Sequence, residues 1–392
     1  MSFTSYSRFL FYIICLLFVS CKNKRDHFGI GQDKPFHFPV TDIGVTQDTV
    51  AKWHDEIQQY YENLHQYAHF NGNVLVARRG NIIYSGSFGV ENLEDQTPLN
   101  SKSVFQIAST SKTFTAMAIM LLVQRGKIKL NQTVDEFFKD FPYSGVTISD
   151  LLSHRSGLPN YILTTEKEWQ DEGLKSNQDL LEYFIEKHPA AYSKPDVHFQ
   201  YNNTNYALLA LIIEKASKKT FEDFMQQNIF DPLNMKDTYI FSYRNRHLPK
   251  KNITTGYLYR NRPDELVAAD GIIGDKNIYT TTNDLLKWER ANVYTYLFDQ
   301  ATLDSVQVGR SNEKRGVRNY GYGWRIMEKP NHVKLIYHNG WWHGYTSTFS
   351  RNPADETVII VLSNIFNKST YRIQPVWDIL YGSKGFTDEP SE

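Results

Sequence analysis

Ser109-Thr-Ser-Lys112 places a hydroxyl and an amine three residues apart, directly ahead of a long apolar run. In a helix, residues i and i+3 share a face, so the two groups can touch. A serine hydroxyl is a weak nucleophile until a neighbour removes its proton, and an adjacent amine is one such neighbour. Ser109 would stand at a helix N-terminus, where free backbone N–H groups and the dipole favour a developing oxyanion. The stretch Phe114–Val123 is apolar on nearly every side, which predicts a deeply buried helix. Burial disfavours a charged lysine, so Lys112 is expected to move toward a neutral, proton-accepting amine. The chemistry indicated is acyl transfer through a covalent serine intermediate, provided that partners lie downstream.

Two such groups follow in order. Tyr201-Asn-Asn203 precedes a second apolar helical run, and His338-Asn-Gly340 closes a stretch that reads as a β-strand. The order Ser-x-x-Lys, Tyr-x-Asn and a tripeptide ending in glycine resembles the penicillin-recognising serine hydrolases, in particular class C beta-lactamases, D-alanyl-D-alanine carboxypeptidases and related esterases. Phe105-Gln-Ile-Ala-Ser109, Leu151-Leu-Ser-His-Arg-Ser-Gly-Leu-Pro159 and Pro232-Leu-Asn-Met-Lys-Asp-Thr238 extend the likeness over about residues 70–365.

The resemblance implies that Ser109 forms an acyl-enzyme, that Lys112 helps withdraw its proton, and that Tyr201 relays that proton to the leaving group. Whether Lys112 or Tyr201 is the base stays open. A phenol ionises near pH 10, so a Tyr201 base needs two nearby cations or strong donors. Lys112 is one, and protonated His338 would be another. Asn203, His338, Asn339, Gly340 and Trp341 are the expected substrate-binding residues. By the same analogy the N–H groups of Ser109 and Trp341 hold the oxyanion. If the segment is extended, Asn203 points the same way as Tyr201. Gly340 would let an acyl group lie against the strand backbone.

The third motif departs from the family pattern, with His338 for lysine and Asn339 for a hydroxyl residue. A permanent cation plus a hydroxyl suits a substrate carboxylate, and histidine is only partly charged near neutral pH. The departure weakens beta-lactam hydrolysis and favours esters, small amides or D-amino-acid peptides. A catalytically silent relative that binds peptidoglycan or a protein partner is the alternative. No cofactor or metal is called for. His65 and His69 have metal-pair spacing but no third ligand, and a solvated face is the simpler reading. His338 and His343 could ligate across a turn, though the strand-motif role is preferred. His154 reads as framework, and Asp275-Lys276 borders the site without an assigned role. Trp341, Trp342 and Tyr345 could wall an apolar cleft or belong to the core.

These residues need a scaffold. An amphipathic helix is expected over 47–68, with Val50, Trp53, Ile57, Tyr60, Leu64 and Tyr67 on one face. A hairpin of strands 73–78 and 81–86 turns near Arg79-Gly80, and the nucleophile helix stops at Gly126. A mostly helical middle runs to about residue 300, with capping boxes at Thr220–Asp223 and Thr281–Asp284. Strands return at 333–338, 345–351 and 357–363, followed by a short helix from about Thr370. Strands at both ends around a helical middle predict an α+β fold: one antiparallel sheet closed by the two termini, helices against it, and a second, mostly helical lobe. The site would lie between sheet and lobe.

Arg8 followed by the apolar run Phe9–Val19 reads as a signal peptide over residues 1–20, too short to span a bilayer. Ser20-Cys21 resembles a bacterial lipoprotein cleavage site, with Phe18 where an aliphatic residue is usual. Cys21 is therefore the expected lipidation site, 21–45 a tether, 46–382 the hydrolase domain and 383–392 a tail. The location implied is the periplasmic side of a bacterial envelope, with the outer membrane favoured because Lys22, not aspartate, follows Cys21. The cysteines number two, Cys15 and Cys21, so the exported domain has no disulfide. With 43 basic and 43 acidic residues, the charge balance gives no support to a nucleic-acid partner. The expected partners are a small-molecule or peptide substrate and, through the anchor, a membrane.

Overall fold

Both ends of the chain contribute to one antiparallel sheet, which among the described residues has seven strands. The computed structural model describes residues 37, 39–170, 172–247, 251–313, 318–328 and 333–382, all within the unit Pro35–Glu392. The expected signal peptide, Cys21 and the tail beyond Gly382 lie outside the described residues. In chain order the strands are β1 (Gly72–Arg78), β2 (Asn81–Phe88), β3 (Phe105–Gln106), β4 (Tyr239–Ile240), β5 (Tyr257–Leu258), β6 (Arg262–Pro263) and β7 (Ile278–Thr280). They continue with β8 (Arg318–Tyr320), β9 (Arg325–Glu328), β10 (Lys334–Trp342), β11 (Tyr345–Asn352) and β12 (Thr357–Ser363).

The large sheet runs β2-β1-β12-β11-β10-β9-β8. Its centre, β12, is buried along its whole length, which fits its unbroken Thr-Val-Ile-Ile-Val-Leu-Ser sequence. The expected mixed fold, an antiparallel sheet flanked by helices, is the one found. Two features escaped the sequence reading. Strands β8 and β9 extend the far edge, and β10 continues through the third motif to Trp342, turning at His343-Gly344. His338-Asn-Gly340 thus lies inside a strand. A small sheet, β3-β7-β4, crosses the mostly helical middle.

Helix α1 (Gln47–Ala68) starts where Thr46 accepts the Thr49 N–H and ends at His69, whose backbone is left-handed. It buries Trp53, Ile57, Tyr61 and Leu64 on a 4-4-3 spacing. The face is therefore set by Tyr61 rather than Tyr60, and Tyr67 is 74% exposed. These side chains pack with Val74, Val76, Ile359 and Trp377, the last from the C-terminal helix Gln374–Tyr381. Helix α2 (Ser111–Gln124) is buried from Ser111 through Leu122, as its all-round apolar sequence requires. Phe114 stacks on Trp288 with centroids 4.0 Å apart. Thr220 and Thr281 cap their helices through the Asp223 and Asp284 N–H groups. Neither end shows the reciprocal half of the expected box; in the second, Asp284 Oδ2 instead accepts from Asp237 N–H and Thr238 Oγ1.

Candidate active site

Ser109 occupies a single 3₁₀ turn, Ala108–Thr110, that runs into α2. The preceding Ala108 has φ 47°, the left-handed region that costs an L-residue about 1–2 kcal/mol. Neighbouring strands hold this elbow in place. Ile107 N–H donates to the Ile278 carbonyl at 2.9 Å, and Ser347 Oγ donates to the Ile107 carbonyl at 2.7 Å. Gly340 of β10 packs directly against it: a Cβ there would stand 2.2 Å from the Ile107 oxygen. The glycine of the third motif therefore lets the strand reach the Ala108–Ser109 elbow, a reason the sequence alone did not reveal.

Lys112 lies one turn further on and is fully buried. Its Nζ donates to Ser109 Oγ at 3.1 Å, Asn203 Oδ1 at 2.8 Å and the Asp275 carbonyl at 2.8 Å. Three partners within hydrogen-bonding reach offset the cost of burying the lysine head group. Asn203 differs from expectation. It begins the helix Asn203–Ser217, capped by Asn202, and reaches Lys112 from that helical start rather than from an extended segment.

Tyr201 lines the same cleft with its ring centroid 5.1 Å from Lys112 Nζ. Its hydroxyl makes no hydrogen bond to Ser109 or Lys112 among the described residues. The second cation beside the ring is Arg325 of β9, also 5.1 Å from the centroid, which the sequence reading missed. No local pattern marks Arg325; only the pairing of β9 with β10, Arg325 opposite Tyr337, brings it there.

His338 requires correction. Its ring is completely buried, with Nδ1 2.8 Å from the Asn339 carbonyl and Nε2 3.2 Å from Tyr320 Oη. Burial first, then Arg325 and Lys112, pushes its pKa well below the usual histidine range, so it is neutral at pH 7. It neither lines the cleft nor supplies the cation. Asn339 and Trp341, of opposite parity on β10, do line it. Strand β9 pairs with β10 only as far as Tyr337, leaving the edge beyond it toward the cleft.

His154 serves the Tyr201 segment. Its Nδ1 accepts the Asn202 N–H at 3.1 Å, its carbonyl accepts from Gln200 N–H at 2.8 Å, and its ring centroid lies 4.4 Å from that of Tyr201. Burial first, then Lys112 and Arg325, keeps it uncharged. His65 contacts the Phe70 carbonyl at 2.7 Å. Tyr345 is core, its hydroxyl bonded to the Thr254 carbonyl.

The cleft has a volume of about 760 Å³, and Asp275 and Lys276 form part of its wall. Lys276 Nζ donates to Tyr161 Oη at 2.6 Å, and Tyr161 Oη donates to Asp275 Oδ2 at 2.9 Å. At the β10–β11 turn, His343 lies 2.8 Å from Asp264 and 3.5 Å from Asp270. Burial alone would lower the His343 pKa, but the two carboxylates outweigh it and push it up to about 9. Asp270 also accepts the Trp342 indole N–H at 2.5 Å.

This geometry can be set beside known proteins. The beta-lactamase family profile matches residues 55–380. Penicillin-binding protein 4* of Bacillus subtilis (strain 168) is 34% identical over 345 residues, covering 83% of this chain and 76% of its own length. Among solved structures, a penicillin binding protein from Bacillus halodurans superposes with TM-score 0.73 at 24% identity, covering 82% of this chain and 98% of its own. A class C beta-lactamase superposes with TM-score 0.71 at 21% identity, covering 88% and 99%.

Proposed function

The chain belongs to the beta-lactamase family, and from that premise we propose that it is an exported serine hydrolase forming an acyl-enzyme on Ser109. The observation that carries this reading is the 3.1 Å contact between Lys112 Nζ and Ser109 Oγ in the wall of a cleft shared with Tyr201. Ser109 Oγ attacks the substrate carbonyl, forming a C–O bond while its proton leaves. Lys112 is already engaged with three hydrogen-bond partners, so Tyr201 is the group that relays this proton to the leaving group. The N–H groups of Ser109 and Trp341 hold the oxyanion, and loss of one such donor costs about 2.7–4 kcal/mol. Water then releases the acid and restores Ser109.

The bond cleaved is an ester or amide. A neutral His338 and the absence of a hydroxyl at Asn339 support esters and D-amino-acid peptides over beta-lactams. Labelling with a fluorophosphonate and with a fluorescent penicillin, wild type against Ser109→Ala, tests the reading. Ser109-dependent labelling by either probe supports it. No labelling by either would favour a silent module that binds peptidoglycan or a protein partner. Membrane attachment through Cys21 is part of the same proposal, and Cys21→Ser is expected to move the protein from the membrane to the soluble fraction.

A further inference from the structure

Lys112 is held by parts of the chain far from its own helix. Its Nζ stands 2.8 Å from Asn203 Oδ1 and 2.8 Å from the Asp275 carbonyl oxygen, with Ser109 Oγ at 3.1 Å. Asn203 is fixed by the helix it begins. Asp275 has no such support, because residues 272–277 belong to neither helix nor strand. The place of its carbonyl therefore depends on hydrogen bonds from side chains. Thr115 Oγ1 holds the preceding Gly274 carbonyl at 2.6 Å. Asp275 itself is tied by Tyr161, whose Oη donates to Asp275 Oδ2 at 2.9 Å.

Tyr161 opens the short helix Tyr161–Thr164, and its ring is buried among Leu180, Phe184, Ala207 and Ile272. Its backbone N–H donates to Thr204 Oγ1 at 2.8 Å, and Thr204 follows Asn203 in the chain. A closed circuit results. It runs from Lys112 to Asn203, through Thr204 to Tyr161, through the phenol to Asp275, and back to Lys112. Lys276 Nζ donates to the same phenol oxygen at 2.6 Å, which directs the hydroxyl proton at Asp275. Burial first, then Asp275, pushes the Tyr161 pKa well above the usual phenol value, so the hydroxyl keeps that proton. Tyr161 is fully buried and is not part of the cleft lining, so it can act on the reaction only through other residues.

We propose that Tyr161 is a positioning residue for Lys112, tying the Asn203 helix with its backbone N–H and Asp275 with its hydroxyl so that both groups facing the amine keep their places. The inference rests on the proposed function, in which the contact between Lys112 and Ser109 prepares the nucleophile.

Tyr161→Phe removes the hydroxyl and leaves the ring and the backbone bond to Thr204. The probe is p-nitrophenyl acetate, with kcat counted per Ser109 titrated by a fluorophosphonate. The variant is expected to lower kcat by about 10–100-fold with KM within about threefold of wild type, the scale on which small misplacements of reacting groups act. A merely structural role would reduce the number of titrated sites and leave kcat per site unchanged. Asp275→Ala is expected to lower kcat to a similar extent. Asp275→Asn should lower it less, because its amide oxygen still accepts from Tyr161. The double variant Tyr161→Phe/Asp275→Ala should be no slower than the slower single variant, since both break one linkage. Unchanged kcat per site in Tyr161→Phe, or losses that multiply in the double variant, would overturn the inference while leaving the serine hydrolase intact. Should Tyr161→Phe fail to fold, equal rates for Asp275→Asn and Asp275→Ala would overturn it. Absence of Ser109-dependent turnover and labelling in the wild type would overturn both.

Discussion

Arg325 lies over Tyr201 in the cleft, the guanidinium carbon 5.1 Å from the centre of the phenol ring. Lys112 Nζ stands at the same distance from that ring, so two basic side chains flank the phenol to which the proposed mechanism gives the proton relay. The resembled family carries a lysine in its third motif, and here the corresponding His338 is neutral and buried. Arg325 supplies a positive charge from the adjacent strand.

Removing that charge is expected to slow turnover. Arg325→Ala should lower kcat/KM for p-nitrophenyl acetate by about 10–100-fold, within the range of general acid–base contributions. Arg325→Lys should recover part of the loss, because charge is kept while the planar fork is lost. Equal rates for wild type and Arg325→Ala would show that the guanidinium takes no part.

His338→Lys restores the family's motif in sequence but is expected to damage the protein. The side chain is fully buried between Tyr320 and the Asn339 backbone, and its nearest charges, Arg325 and Lys112, are positive. An ammonium forced into this setting should cost about 3 kcal/mol or more, read as a lowered melting temperature. Cephalosporin turnover should not rise. A variant of unchanged stability with gained cephalosporinase activity would refute this account of the motif.

Gly340→Ala tests the elbow. The added methyl would stand 2.2 Å from the Ile107 carbonyl oxygen and 2.3 Å from Ser347 Oγ. Strand β10 must then retreat from Ala108 and Ser109. The expected result is a loss of labelling at Ser109 together with about 1–3 kcal/mol of destabilisation. Retention of full activity would show that the approach of the strand is unimportant.

The His343 pair with Asp264 and Asp270 makes stability depend on pH. The folded pKa of about 9 lies above the unfolded value of about 6.5. Its contribution is therefore fully present below about pH 6.5 and is lost as pH rises through about 9. The shift corresponds to up to about 3 kcal/mol. Denaturant melts between pH 6 and 10 should show this decline, and His343→Gln should flatten it. An unchanged pH dependence in His343→Gln would assign the decline to other groups.

Much of the scaffold was legible because local patterns are repeated and strong. The apolar run after Ser109 and the buried helix α2 agree, and the spacing of Trp53, Ile57 and Leu64 marked the buried face of α1. The hairpin β1–β2 and strands β11 and β12 fell close to the expected residues. Strands β8 and β9 were missed because they are short and acquire their identity from pairing, as edge strands do.

From the sequence by itself came the residue types and the order of the three motifs, together with the Ser109–Lys112 spacing, since one helical turn enforces that contact. Tertiary structure decided everything that depends on residues far apart in the chain. Lys112 finds hydrogen-bond partners at Asn203 and Asp275, 91 and 163 positions away, which local sequence could not supply. Tertiary structure also buried His338 and brought Arg325 beside Tyr201. A side chain's charge is set by its neighbours and its access to water, and neither is written in the residues beside it.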